Sequence, residues 1–499
     1  MKRLLRAGTW VFAGMMLGRL AGFAREVVLG SRVGATSEAD VAVVLLTIPD
    51  LVLNILIGGA FGAALVPEFT RLGGRPAKRL MMRAGVLTAC LAALASVALA
   101  AFALPLVRVL APGIREEGAH AAVGHARVLL ISIPFSAVTA VLAAFLHSAR
   151  KFATPSMGTL VYNLVLVGAL AFLASPLWGL TVGVIFGSVV RLGLHAWGAR
   201  RAELAPANQD EPSSSQGIAV RYAQALAAGS VLLAYPIVAR SFASLGDAGG
   251  VSVVNYAAKL IELPNGIALT VFAVVLFPTL SLAMAEQRMS DADDSARRAL
   301  RMVGWLAVPL AIGLAVFGTD FATVALMRGR LDADAARRVG NATSLWAVSL
   351  PAQGASSVLV ALLNARKDTR SSLLSSVAGL AVLVALCFLL QRPLGTAGVV
   401  AAIAAAYWTA VISQAWALRQ HGHRLYRPGV GWQTLRSVCI ATLGFAPAVL
   451  LARATAPRQA AARLAIACLG GIFALALSSG ALGSDRDRLL GLVRRRNVT

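Results

Sequence analysis

The chain has 499 residues, of which 58% are hydrophobic and 14% are charged, and its mean hydropathy is +0.75. A soluble domain carries roughly 25% charged residues, so this composition excludes an ordinary soluble protein and indicates a membrane protein. The formal net charge of +24 would favour a nucleic-acid partner in a soluble chain. Here the lysines and arginines fall in short loops between apolar runs, so we predict no nucleic-acid partner.

Apolar segments long enough to cross a bilayer recur along the chain. A spanning helix needs about 20 mainly apolar residues, because lipid offers the backbone N–H and C=O groups no hydrogen-bond partner. About fourteen segments meet this requirement and predict an all-α polytopic membrane protein. In chain order, the predicted spans are 8–30, 39–66, 84–107, 128–147, 155–174, 178–199, 219–243, 250–284, 302–326, 341–364, 371–391, 394–418, 437–452 and 464–482.

The positions of the positive charges orient these spans. Arg75, Lys78 and Arg79 follow the second span, and Arg150 and Lys151 follow the fourth. Basic residues concentrate in cytoplasmic loops of membrane proteins. We therefore expect these loops, and both chain termini, to lie in the cytoplasm. The apolar run near the N-terminus is predicted to be an uncleaved first span, since no signal-peptidase pattern leading into a soluble domain follows it.

The chain also repeats itself with an offset of about 215 residues. Residues that coincide are Arg25 and Arg240, Gly34 and Gly249, Asp40 and Asn255, Pro49 and Pro264, and, one residue further, Arg150 and Arg366. The offset covers an even number of spans, so both copies share one orientation. Parallel repeats of this kind usually bind substrate between them near mid-membrane.

The repeat predicts two pseudo-symmetric lobes of six helices followed by two further helices. The predicted divisions are an N-lobe at 1–202 (spans 1–6), a cytoplasmic linker at 203–218, a C-lobe at 219–420 (spans 7–12), and a C-terminal helix pair with a basic tail at 421–499 (spans 13–14). The linker is polar and bears proline and serine, as interdomain segments commonly do.

Basic residues at membrane depth are the strongest functional signal in the sequence. An ionisable side chain at mid-bilayer costs about 2.5 to 3.5 kcal/mol on insertion scales. Arg19 and Arg25 are about 120° apart around a helix and about 9 Å apart along it, so both can line one cavity wall. Lys259 adds a third positive charge early in the eighth span. Guanidinium groups suit phosphate because two of their donors can engage two oxygens at once, so the set predicts a polyanionic substrate.

A structural role for the same charges stays open. Arg19 or Arg25 can pair with Glu26 or Asp40 and merely hold helices together. The repeat can likewise preserve Arg240 for packing. The spacing of Gly14, Gly18 and Gly22 predicts close approach of another helix to the first span.

Motifs of enzymes and metal sites are missing from the sequence. It holds no Walker A loop, no H-E-x-x-H and no G-x-S-x-G, and its four cysteines are far apart. We predict a protein that is not an enzyme, without cofactor or bound metal.

Several long motifs resemble one family. They are MMLGRLAGFAREVVLGSRVGATSEAD (15–40), IPDLVLNILIGGAFGAALVPEF (48–69), IPFSAVTAVLAAFLHSARKFATPSMGTLVYNLVLVG (133–168), NYAAKLIELPNGIALTVFAVVLFPTLS (255–281) and LVALLNARKDT (359–369). Together they resemble the MurJ/MviN lipid II flippases of the multidrug/oligosaccharidyl-lipid/polysaccharide exporter (MOP) superfamily. The resemblance implies a multi-pass protein of the bacterial inner membrane that flips lipid II by alternating access, while cationic cavity residues hold its diphosphate. It also implies cell-wall synthesis enzymes as possible partners.

Carried onto this chain, the family pattern matches Arg19 and Arg25 to cavity arginines and Asp40 to an acidic position, with Lys259 where the family usually has arginine. The expected substrate-binding set is Arg19, Arg25, Lys259, Asp40, Glu26 and Arg240. Leu53 and Asn54 stand where the family commonly carries an arginine pair, so one expected phosphate contact is missing. Ala239 stands where many members have an acid, which puts a sodium site in doubt.

Three alternatives remain at this point. The missing arginines fit a flippase for another undecaprenyl-diphosphate-linked glycan, such as an exopolysaccharide or O-antigen unit. A cation-coupled drug exporter fits less well, because its cavity should be acidic. A membrane scaffold that recruits cell-wall enzymes would not need the buried charges.

Overall fold

The computed structural model describes residues 2–56, 60–204, 218–266, 289–366, 368–422, 428–455 and 459–478, and over these residues the chain is helical without β-strands. The predicted all-α fold is thus confirmed. The first helices are α1 (Lys2–Val33), α2 (Ser37–Leu56), α3 (Ala60–Leu72), α4 (Gly74–Ala101), α5 (Ala103–Leu110), α6 (Glu116–Leu129), α7 (Ser132–Ser148), α8 (Ala153–Phe172) and α9 (Pro176–Arg200). They are followed by α10 (Ile218–Ala243), α11 (250–266), α12 (Met289–Leu326), α13 (Ala333–Ala347), α14 (Leu350–Ala365), α15 (Thr369–Gln420), α16 (Pro428–Thr455) and α17 (Ala460–Ser478).

Membrane-spanning helices are evident among the described residues. Five helices are long and apolar enough to cross a membrane, and the number rises to 7 if the bent pairs α6–α7 and α13–α14 each form one span. The predicted eighth span, 250–284, falls partly outside the described residues. The total of about fourteen spans therefore stays a prediction.

The chain divides into two compact units. Unit 1 comprises Met1–Leu233, Arg240–Asn255 and Arg328–Asp332, and unit 2 comprises Ala234–Ala239, Tyr256–Met327 and Ala333–Thr499. The N-lobe and C-lobe bounds proposed above remain predictions, since most of the linker at 203–218 lies outside the described residues.

Close packing of α1 against α8 organises unit 1. A Cβ atom added at Gly14 would lie 3.0 Å from the Ser156 hydroxyl oxygen, and one at Gly18 would lie 3.3 Å from the Thr159 Cβ. Gly22 faces Asn163 in the same way. Small residues at four-residue spacing let two helix backbones approach, so the predicted helix contact is confirmed.

Two glycines at equivalent places in the repeat each precede the start of a helix. Gly34 has φ 70° just before α2, and Gly249 has φ 84° just before α11. A side chain is disfavoured in this left-handed region, which glycine enters without steric cost. The shared conformation agrees with the internal repeat.

In unit 2, the two ends of α15 meet. Gly395 (φ 56°, ψ −136°) interrupts this 52-residue helix, at the boundary predicted between the eleventh and twelfth spans. At the N-terminus, the Asp368 side chain accepts a hydrogen bond from the Ser371 N–H at 3.1 Å. His421, which follows the helix, places Nε2 2.7 Å from Asp368 Oδ2. The break therefore folds α15 into a hairpin closed by one carboxylate.

Replacing Asp368 should test this closure. Burial by itself raises the pKa of Asp368, but hydrogen bonds from Ser371 and His421 outweigh it and lower the pKa below its usual range. A carboxylate with a depressed pKa stabilises the fold above its unfolded pKa of about 3.9, and this contribution is lost as the pH falls through the folded value. We expect Asp368→Ala to cost about 1 kcal/mol at neutral pH, as for other N-cap losses.

Thermal unfolding of the purified protein measures this cost. Asp368→Asn is the matched control, because its amide oxygen still caps the helix. The difference in unfolding temperature between wild type and Asp368→Ala should become smaller as the pH is lowered from about 5 to about 3. If this difference does not change with pH over that range, the ionised carboxylate does not stabilise the hairpin.

Candidate functional site

Arg25 lies in a buried polar network inside unit 1. Its Nη2 donates to Glu26 Oε1 at 2.6 Å and its Nε donates to the same oxygen at 3.2 Å. Its Nη1 donates to Asn163 Oδ1 on α8 at 3.3 Å. The side chains of Arg25 and Glu26 are 12% and 1% exposed. Consecutive helix residues do not normally face each other, so the pair depends on neighbours from other helices.

The second carboxylate oxygen of Glu26 links this pair to the other half of the repeat. Asn255 Nδ2 donates to Glu26 Oε2 at 3.0 Å, and Arg240 Nη1 donates to Asn255 Oδ1 at 3.0 Å. The repeat-related arginines Arg25 and Arg240 thus sit at opposite ends of one hydrogen-bonded chain. Arg25 binds the Glu26 carboxylate directly, whereas Arg240 is linked to it only through the Asn255 amide.

Asp40 has a different role in the same unit. Its Oδ2 accepts from the Gly249 N–H at 2.8 Å, and its Oδ1 accepts from the Ser252 N–H at 2.7 Å. Asp40 is 5% exposed. Both donors belong to the first turn of α11 or to the residue before it, so Asp40 caps that helix and its negative charge complements the helix dipole.

Arg19 and Lys259 lie on two different helices, α1 and α11. Arg19 is half-buried on α1, closer to the N-terminus of that helix than Arg25. Lys259 belongs to unit 2, where its Nζ lies 2.7 Å from Glu262 Oε2 and its side chain is 28% exposed. Of the predicted set, the structure joins Arg25, Glu26 and Arg240 in one network.

Sequence reasoning missed Asn163 and Asn255 as members of this network. In the sequence, Asn255 stands out only as the repeat counterpart of Asp40, and Asn163 is a single amide in an apolar span. A polar residue within a membrane span is by default a candidate for function or helix contact. That signal was present in both spans, but it did not say which charge each amide would meet.

Unit 2 contains an apolar cavity. Its volume is about 460 Å³, and it lies between α12 and α17 with Pro264 of α11 also on its wall. The lining is made almost wholly of carbon atoms, from side chains that include Leu306, Leu310, Phe317, Phe321, Leu464 and Ile472. Such a cavity suits a hydrocarbon chain rather than a polar headgroup.

Solved structures share this fold. A structure described as "Lipid II flippase MurJ, inward closed conformation" matches with TM-score 0.77 and 16% identity, covering 96% of this chain and 99% of the other. An inward-facing MATE-family multidrug transporter of the MOP superfamily matches with TM-score 0.65 and 15% identity, covering 83% and 97% of the two chains. At these identities the likeness shows that the chain shares the fold of these two proteins.

A family model assigns the chain more narrowly. The model described as "Lipid II flippase MurJ" matches residues 30–465, and the chain belongs to this family. A relative from Rhizobium tropici named "Probable lipid II flippase MurJ" is 27% identical over 431 residues, covering 83% of this chain and 80% of the relative. "Lipid II flippase MurJ" of Burkholderia cenocepacia is 26% identical over 446 residues, covering 86% of each. Family and apolar helices together indicate a multi-pass protein of the inner membrane.

Proposed function

We propose that this protein carries lipid II from the cytoplasmic to the outer leaflet of the inner membrane by alternating access. The observation that carries the proposal is the family match over residues 30–465. The arginine-bearing polar network of unit 1 and the apolar cavity of unit 2 supply the two chemistries that a lipid-linked diphosphate requires.

We assign binding of the substrate's diphosphate headgroup to the basic residues. Arg25 donates to Glu26, and Arg240 is linked to the same carboxylate through Asn255, so one network brings two guanidinium groups together. Glu26 holds the Arg25 guanidinium in one orientation, and planar donors held in place can bind two phosphate oxygens at once. Arg19 and Lys259 are proposed to add positive charge along the path. Lys259 would have to exchange its contact with Glu262 for the diphosphate.

We assign binding of the substrate's hydrocarbon chain to the cavity between α12 and α17. Its volume of about 460 Å³ falls within the range of pockets that enclose small ligands, and its walls offer an isoprenoid chain contacts without polar groups to desolvate. The C-terminal helix pair would then form part of the lipid path. Cytoplasmic termini and contacts with cell-wall synthesis enzymes remain predictions of this proposal.

Complementation tests the proposed substrate. Cells depleted of their own lipid II flippase would receive this protein, and growth and surface exposure of labelled lipid II would be followed. We expect the wild type to restore both. Arg19→Ala and Lys259→Ala should reach the membrane in normal amounts and yet fail to restore export, since each removes a charge for the diphosphate.

Arg108→Ala is a suitable control, because Arg108 pairs with the exposed Glu116 at a helix end, and such surface pairs contribute little. Normal export by both Arg19→Ala and Lys259→Ala would overturn the assignment of these two residues to diphosphate binding. A wild-type protein that is present in the membrane but gives no rescue would point to the alternative substrate, another undecaprenyl-diphosphate-linked glycan.

A further inference from the structure

Three arginines form a stripe along the first turns of α4. Arg75, Arg79 and Arg83 are spaced by four residues, so successive side chains are only about 40° apart around the helix. All three are exposed. In the part of the chain that the structure describes, no ion pair joins any of them to an acidic residue. The acidic residue Glu68 at the end of α3 is bound by Arg71 instead.

The same face of α4 continues as a hydrocarbon surface. Val86, Leu94 and Val97 follow on the stripe and are 65%, 68% and 69% exposed. Cys90 lies between them and is also exposed. The opposite face carries the buried residues of this helix, including Ala77 and Ala92. The stripe therefore points away from the interior of unit 1 and toward lipid.

The arginines lie at the membrane–water boundary of unit 1. Ala77 on α4 shares a buried cluster with Phe145 near the end of α7 and Ala199 near the end of α9. These three helix ends therefore lie at one end of the unit. At the end of α9, the Arg201 guanidinium lies 4.2 Å from the ring centroid of Trp197, which is 53% exposed. Exposed tryptophan beside basic residues is typical of the headgroup region.

We propose that the face formed by Arg75, Arg79 and Arg83 is a binding site for an anionic diacyl phospholipid of the bilayer. The three guanidinium groups hold the phosphate and the acidic headgroup by charge-assisted hydrogen bonds. The acyl chains lie along the apolar continuation of the stripe at Val86, Leu94 and Val97. A neutral phospholipid offers the same chains but no net negative charge, so the site discriminates by headgroup. This site faces outward and is independent of the proposed lipid II path.

Cys90 provides a reporter within the acyl-chain part of the site. In the full-length protein, the exposed Cys439 and Cys468 are replaced by serine, the buried Cys387 is kept, and a fluorophore is attached to Cys90. The labelled protein is reconstituted in phosphatidylcholine bilayers containing a minority of phosphatidylglycerol. Bromine, which quenches the fluorophore, is placed on the chains of either one lipid or the other, so that surface charge is the same in every sample.

Enrichment of phosphatidylglycerol at Cys90 is the expected result. Each basic residue near an anionic surface contributes about a fivefold preference, so quenching by brominated phosphatidylglycerol should exceed random mixing by about fivefold or more. The enrichment should fall as salt is raised. In the triple variant Arg75→Gln, Arg79→Gln, Arg83→Gln, quenching should drop to the random-mixing value.

A matched control removes the same charge elsewhere. Arg150→Gln, Arg200→Gln and Arg201→Gln lie at the same end of unit 1 but off the stripe, and this variant should keep the enrichment. Quenching with both lipids brominated should be equal in all variants, which confirms that α4 stays inserted. Random mixing in the wild type would overturn the proposal. Equal loss of enrichment in both triple variants would do so as well, since it would mean that only the overall charge attracts the lipid.

Discussion

Replacing either Arg25 or Glu26 alone with glutamine should destabilise the protein strongly, whereas replacing both together should not. Each single change leaves the other charge buried without its partner, because Glu26 is 1% and Arg25 12% exposed. Breaking a buried pair in this way costs about 3 to 5 kcal/mol. In the double variant both charges are gone, and two amides can still bond with Asn163 and Asn255.

Thermal or denaturant unfolding of the four proteins gives the coupling between the two residues. We expect the double variant to recover most of the stability lost in each single variant. Equal instability of the double and single variants would show that the two charges do not compensate each other.

The same four proteins separate a structural from a functional role of Arg25. If Arg25 holds the substrate diphosphate, the double variant should be stable and yet fail to export lipid II. If the arginine only pairs with Glu26, the stable double variant should export like the wild type. Arg25→Ala in the complementation assay cannot make this distinction, since loss of stability and loss of substrate binding both abolish export.

Substituting Gly249 with alanine should also destabilise the folded protein strongly. Gly249 has φ 84°, and an added Cβ would lie 2.0 Å from the carbonyl oxygen of Ala35. The atom it meets belongs to the backbone, so no side-chain rotation relieves the overlap. The left-handed conformation costs about 1 to 2 kcal/mol for a non-glycine residue, and overpacking adds about 1 to 3 kcal/mol or more.

Gly422 is a matched control for this substitution. It has φ 81°, and an added Cβ would meet nothing within 4 Å. Gly422→Ala should therefore cost only the conformational part, about 1 to 2 kcal/mol. The measurement is the amount of folded protein in the membrane together with its unfolding temperature. Equal effects of the two substitutions would show that the contact between Gly249 and Ala35 is not tight in the protein.

The Gly249 substitution should also disturb the contact between Asp40 and α11. The Gly249 N–H is one of the two donors that Asp40 binds, so a shift of the backbone at this glycine also loosens the cap of α11. Asp40 was predicted as a substrate-binding residue, and its contacts with Gly249 and Ser252 support a role in holding α11. Its contribution to substrate binding remains a prediction.

The helical class of this protein, one of its helix contacts and the presence of a buried charge follow from the sequence alone. Long apolar runs specify helices in lipid, because only a helix satisfies its own backbone hydrogen bonds there. Regularly spaced Gly14, Gly18 and Gly22 indicated the contact with α8 that the structure contains. The family motifs indicated the MOP-type fold, and the costly charge of Arg25 in a membrane segment is visible in the sequence itself.

Only the tertiary structure decided how the charges are paired. The sequence allowed Arg25 to pair with Glu26 or with Asp40, and in the structure Arg25 binds Glu26 and Asn163. Asn255 meets Glu26 across 229 positions in the chain, and Gly249 meets Asp40 across 209. Hydropathy specifies which segments are helices, but it contains no information on the axial register or rotation of one helix against another. Those two quantities depend on the packing of many side chains at once, and they determine which polar groups come within hydrogen-bond distance.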